Sequence, residues 1–183
     1  MEELSMTSTR HKFSLSNKIG RAIWNFTYII FYRYFSPRFF RKYRIFILRI
    51  FGAKVSWACN IHSSVKIWAP WNLEADDFSS LGPNVDCYNQ GKITLEKNAT
   101  VSQKSYLCAS SHDYTSKYHT LFLAPITIKK NAWIAADAFI GPGVTVEEGC
   151  VVGARASVFK STNSWTVVGG NPAKFIKTRQ IRD

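Results

Sequence analysis

From Ile128 onward the chain repeats with a period of six: Ile128, Ile134, Ile140, Val146, Val152 and Val158 follow one another without a miss. Two residues before each of the last five stands a small or slender side chain, Ala132, Ala138, Val144, Cys150 or Ala156. An α-helix repeats at 3.6 residues and a coiled coil at 3.5, so neither keeps both registers on one face. A short flat strand followed by a turn does. Three such units close a triangular coil, and successive coils stack at about the 4.8 Å spacing of neighbouring strands, with the large aliphatics turned inward. The N-terminal half repeats less strictly, with Val55, Ile61, Ile67 and Leu73 in the large register and Cys59 and Val65 in the slender one. Leu95, Val101 and Leu107 carry the large register onward. Gly82, Gly141, Gly143, Gly149 and Gly153 are expected to supply turn backbone where bulkier residues clash.

The repeat fails between Ser111 and Pro125, and the failure opens on Ser111, His112 and Asp113. This predicts a loop insertion over 113–124 that leaves a rigid scaffold at a histidine. Imidazole titrates near neutrality, so a histidine held by a stiff sheet is suited to take a proton from a weakly nucleophilic hydroxyl. A loop folded over it excludes water. His112 is therefore the candidate base. Asp113 ranks second as an orienting carboxylate, because adjacent residues on an extended chain point opposite ways. His119 lies inside the loop, and neither it nor His62 or His11 carries an assigned role. Asp86, Tyr88 and Asn89, one coil earlier, are candidates for hydrogen bonds to an acceptor.

The formal net charge of +12 is unevenly placed. From Leu4 to Leu73 there are twelve Lys and Arg and no Asp or Glu, whereas the remainder is close to neutral. The basic stretch is also aromatic: residues 18–51 read KIGRAIWNFTYIIFYRYFSPRFFRKYRIFILRIF. Ile19, Ala22, Ile23, Phe26 and Ile30 follow helical spacing, Pro37 breaks the run, and Ile45, Phe46, Leu48 and Phe51 predict a second short helix. No stretch has the roughly 18 uncharged apolar residues that a membrane span requires. Three uses compete for this arm: covering the open end of the coils, resting on the cytoplasmic membrane face, or binding nucleic acid. The near-neutral remainder offers no nucleic-acid recognition motif, so no nucleic-acid partner is expected.

Cys59, Cys87, Cys108 and Cys150 lack the close pairing of zinc ribbons or redox pairs, and neither a metal nor disulfides are expected. No leader-like apolar core with a cleavage site opens the chain, and a cytoplasmic protein is the expectation. The expected organisation is a loose tail over 1–17, a helical arm over 18–54, a β-helix over 55–177 and a short tail over 178–183.

The segment APITIKKNAWIAADAFIGPGVTVEEGCVVGARASVFKSTNSWTVVGGNPAKFIK resembles the C-terminal signature of the hexapeptide-repeat acyltransferases, and the similarity extends over roughly Val55 to Arg179. IWAPWNLEADDFSSLGPNVDCYNQGKITL and SQKSYLCASSHDYT look most like the branch associated with colanic acid and exopolysaccharide O-acetylation. The resemblance implies a left-handed parallel β-helix, a homotrimer, and acetyl transfer from acetyl-CoA to a saccharide hydroxyl. His112 matches the family's catalytic histidine. By the same resemblance Trp133, Ala136, Ala154, Phe159, Lys160, Lys174 and Lys177 are coenzyme contacts, the alanines giving room to the pantetheine arm and the lysines meeting phosphates. Lys129, Ala135, Glu147 and Phe159 stand where the family often has glycine, departures that bear on individual coenzyme contacts. Two other readings stay open: a non-catalytic β-helix platform, and transfer to an amino-sugar amine.

Overall fold

The computed structural model describes residues 13–181. Their core is a parallel β-helix with three faces. Face A stacks Lys54–Val55, Leu73–Ala75, Ile93–Leu95, Ile126–Ile128 and Thr145–Val146. Face B begins at Asn60–Ile61 and ends at Thr166–Gly169, with Lys174–Thr178 turned back antiparallel on it; face C runs from Lys66–Ile67 to Ser157–Val158. The chain visits the faces in the order A, B, C. Each inward register position pairs with its equivalent one coil on, as Ile134 does with Val152 and Ile140 with Val158. These side chains are fully or almost fully buried. Removing each from water contributes on the order of 1.5–3 kcal/mol, and the period of six is what keeps them all inside.

The irregularity of the N-terminal half has one location. Trp133 pairs with Val151, eighteen residues on, but Asn60 pairs with Ser80 and Lys66 with Asp86, each twenty residues on. The two extra residues sit where face C turns into face A. Leu73 consequently leaves the large register expected for it: Ala75 pairs with Val55 and Leu95, and Leu73 pairs with Ile93 in the slender row. Leu73, Ile93 and Ile126 fill the widened corner, all fully buried. Turns need a left-handed residue at regular intervals. Gly143 and Gly149 supply it with φ of +77° and +66°, but Asn84, Asn98, Asn131 and Asp137 do so elsewhere without glycine. All four cysteines are free, and Cys59, Cys87 and Cys150 pack as buried small side chains.

The first helix, α1, spans Leu15–Thr27 and begins three residues earlier than expected, where Ser14 Oγ accepts from the Asn17 amide. Residues 1–12 of the expected tail, and 182–183 of the C-terminal one, lie outside the described residues. After Pro37 the second helix, α2, spans Arg41–Ile50. Both lie across the first coil, whose lower edge would otherwise present unpaired carbonyls. Trp24 Nε1 donates to the Ile67 carbonyl at 2.7 Å, and Arg49 donates to Val55 at 2.6 Å. Arg41 donates to the carbonyls of Trp57 and Cys59, at 2.7 and 2.8 Å. Arg44, 3% exposed, bridges Ile61 to Phe35 and Pro37. Three of the arm's arginines are therefore structural.

Arg44→Met keeps the volume but orphans carbonyls at a buried site, each costing about 1–3 kcal/mol. The expected loss is about 3 kcal/mol, read as a lower urea midpoint with unchanged slope at fixed protein concentration. An unchanged midpoint would show that water replaces the guanidinium there.

Candidate active site

The insertion is a β-hairpin rather than an open loop. Ser110–His112 pairs antiparallel with Leu121–Leu123, His112 lying opposite Leu121, so the loop proper is residues 113–120. It emerges from the same corner, between faces C and A, that takes the two extra residues in the earlier coils. Its root is bonded to the scaffold: the Ala109 amide donates to Tyr88 at 3.2 Å and the Ala124 amide to Ala109 at 3.1 Å. Gly91 makes that seat possible, since a Cβ there would stand 2.6 Å from the Ala109 carbonyl. Sequence reasoning passed over Gly91.

His112 ends its strand and is exposed. Its Nδ1 lies 2.6 Å from the backbone carbonyl of His119. A carbonyl only accepts, so Nδ1 carries the proton, and in the neutral ring the lone pair is on Nε2. The carbonyl is aimed by the loop's own turns. The His119 amide donates to Ser116 at 3.0 Å, and His119 adopts φ of +42°, a left-handed conformation that histidine tolerates better than branched residues do. This is the orienting role expected of Asp113, whose carboxylate does something else. Asp113 Oδ1 accepts from the Thr115 amide at 2.9 Å and hydroxyl at 2.6 Å, bonds that hold its carboxyl below the usual range and brace the loop. His119 had been left without a role, because a backbone carbonyl leaves no mark on residue identity.

The three acceptor candidates separate. Asn89 is fully buried, and its side chain clasps Ala69, accepting from the amide at 3.0 Å and donating to the carbonyl at 2.6 Å. It is a corner brace with nothing left for a ligand. Asp86 and Tyr88 line a cleft of about 320 Å³ on face C with Arg21, Trp24, Tyr28 and Trp68. Burial raises the Asp86 carboxyl above its ordinary range, with Lys66 partly opposing the shift. Tyr88 stands edge-on between Trp68 and Tyr106, at 6.4 and 6.1 Å between ring centres, and its hydroxyl accepts from Gln90 at 2.7 Å.

The coenzyme candidates fall into three places. Trp133 and Lys177 line one cleft of about 600 Å³ on face B, with Trp133 Nε1 donating to Ser102 at 2.9 Å and Lys174 on the same edge strand as Lys177. Ala136 and Ala154 stack one coil apart on the corner between faces B and C, where the Arg155 amide donates to Ala136. Phe159 and Lys160 lie at the top of the corner from which the hairpin leaves, Phe159 against Phe139 at 5.5 Å. Among the described residues none of the three lysines forms an ion pair. Small side chains at a corner, with Ala154 exposed and Ala136 half-buried, suit a thin chain, and unpaired cations suit phosphates. Yet one subunit keeps His112 on one corner and the alanines on another.

The family model described as bacterial transferase hexapeptide (six repeats) matches residues 125–160. The chain is 41% identical over 179 residues, 98% of each chain, to "Putative colanic acid biosynthesis acetyltransferase WcaF" of Escherichia coli (strain K12). It is 31% identical to the galactoside O-acetyltransferase of the same strain over 130 residues, 70% of this chain and 59% of that one. Among solved structures it is similar to the hexapeptide-repeat acetyltransferase VCA0836 of Vibrio cholerae O1 biovar eltor complexed with acetyl coenzyme A, with TM-score 0.80 and 19% identity over 96% and 97% of the two chains. A maltose O-acetyltransferase from Clostridium difficile 630 aligns with TM-score 0.79 and 20% identity over 92% and 90%. With its three-faced coils, its hairpin histidine and this full-length identity, the chain belongs to the hexapeptide-repeat acetyltransferases.

Proposed function

We propose that the protein is an acetyl-CoA-dependent O-acetyltransferase acting on a saccharide hydroxyl in an exopolysaccharide or lipopolysaccharide intermediate. The observation that carries this reading is the 2.6 Å contact from His112 Nδ1 to the His119 carbonyl, which leaves Nε2 as the base. The full-length relative named for colanic acid biosynthesis supports the choice of acceptor class. A homotrimer in the cytoplasm, with peripheral contact at the inner membrane face, completes it.

His112 Nε2 takes the proton of the acceptor hydroxyl, and the resulting imidazolium keeps its Nδ1 hydrogen bond to His119, so the ring does not turn as charge develops. Trp133, Ala136, Ala154, Phe159, Lys160, Lys174 and Lys177 would hold acetyl-CoA, the lysines as point charges against phosphates. When bound, the coenzyme supplies an activated acyl group as a thioester. The hairpin loop over 113–120 excludes water from the reacting hydroxyl. Asp86 and Tyr88 orient the sugar, the carboxylate accepting from its hydroxyls and the ring packing on its face. Because one subunit holds the base and the coenzyme alanines Ala136 and Ala154 on different corners, the site is completed by a neighbouring copy, which supports the trimer. Sedimentation of the active protein as a trimer is the expected outcome, and a stable active monomer contradicts it.

His112→Ala is expected to lower kcat by about 10²–10⁴, the usual contribution of a positioned base, with acetyl-CoA affinity by calorimetry unchanged. Near-normal transfer by this variant to a competent acceptor would remove the mechanism. Asp86→Asn separates binding from folding. Its carboxyl is raised by burial, so the ionised form opposes folding. The variant is therefore more stable than wild type at neutral pH, and the gain shrinks as acid protonates the native carboxyl. The same variant should raise KM for the acceptor. A higher thermal midpoint with unchanged KM would make Asp86 irrelevant to the acceptor.

A further inference from the structure

The helix α1 is mounted with its apolar side outward. Trp24 is 1% exposed and turns into the base of the β-helix, beside Tyr28. Leu15, Ile19, Ile23 and Phe26, with Ile30 in the helical turn Tyr28–Tyr32 that continues α1, recur at the spacing of the opposite face and are 73%, 52%, 54%, 60% and 43% exposed. An ordinary surface helix shows the reverse arrangement. On α2 and the turn before it, Phe39, Phe46 and Ile50 are likewise exposed, at 78%, 52% and 64%. An apolar stripe of this extent on a helix that is already packed marks a contact surface.

Charge identifies what it meets. Arg41, Arg44 and Arg49 are engaged with first-coil carbonyls, but Lys18, Arg33, Arg38 and Lys42 are exposed and form no ion pair among the described residues. No acidic residue falls between Leu4 and Leu73. An apolar protein partner would supply the stripe with contacts but would leave these cations unanswered. An anionic lipid surface answers both, taking apolar side chains at the acyl boundary and cations at phosphates. Among the described residues no helix is long and apolar enough to cross a membrane. We propose that the outer stripe of α1, with Lys18, Arg33, Arg38 and Lys42, docks the enzyme in the plane of an anionic bilayer. This deepens the membrane contact of the proposed function and is independent of the acyl-transfer chemistry.

The test is co-sedimentation of the full-length protein with vesicles of phosphatidylethanolamine and phosphatidylglycerol, against vesicles of phosphatidylcholine alone. Wild type and His112→Ala should both pellet with the anionic vesicles and not with the neutral ones, which separates docking from catalysis. Ile23→Asp with Phe26→Asp should abolish pelleting while circular dichroism and the thermal midpoint stay unchanged. Arg33→Gln with Arg38→Gln, which leaves the apolar stripe intact, should weaken binding about 30-fold and reduce its sensitivity to salt. Failure of wild type to pellet, or equal binding by the aspartate variant, overturns the proposal. So does a sedimentation velocity change in the aspartate variant to a smaller assembly, because the stripe would then be covered by a second copy.

Discussion

Parallel stacking of six-residue units, each a short strand and its turn, is the constraint on which the rest depends. Inward side chains meet their equivalents one coil above and below, so a strand cannot gain or lose a residue without turning its core face outward. Extra chain has to leave at a corner. In this molecule the corner between faces C and A receives all of it: two residues in each of the first two coils and a hairpin in the third. Because the hairpin root is bonded to Tyr88 and seated over Gly91, His112, the proposed base at its first bend, inherits the stiffness of the sheet.

The same geometry leaves an open lower edge, and the arm exists to close it. Arg41, Arg44 and Arg49 act there as donors to a row of carbonyls, so the net charge of +12 overstates the field this segment offers a distant partner. What remains unengaged is a set of four cations, Lys18, Arg33, Arg38 and Lys42, beside an outward apolar stripe. One segment thus seals the scaffold and carries the surface proposed to dock it.

Fold was largely legible because burial at a fixed period is written in side-chain identity. Ile128 to Val158 declared the coils, Pro37 declared the break between two helices, and Cys59 and Cys150 fell in buried slots as small residues. Leu73 was misplaced because the corner residues preceding it also carry apolar side chains, so the sequence offers two plausible frames two residues apart. In the candidate site, the sequence names side chains but not the backbone groups that hold them. His112 could be named from its motif, but the His119 carbonyl could not, since any residue supplies one. Asn89 and Asp113 misled for a related reason. A polar side chain in a motif reads as a ligand contact, while these two spend their hydrogen bonds on Ala69 and Thr115.

The account turns on which nitrogen of one imidazole is bare. Proton–nitrogen correlation spectra of the ¹⁵N-histidine-labelled protein, with His112 assigned by substitution, report the tautomer directly. The Nδ1-protonated form, with an unprotonated Nε2, is the predicted result for the neutral ring. An Nε2-protonated His112 would mean that the His119 carbonyl does not hold the ring, and the base assigned here would point the wrong way.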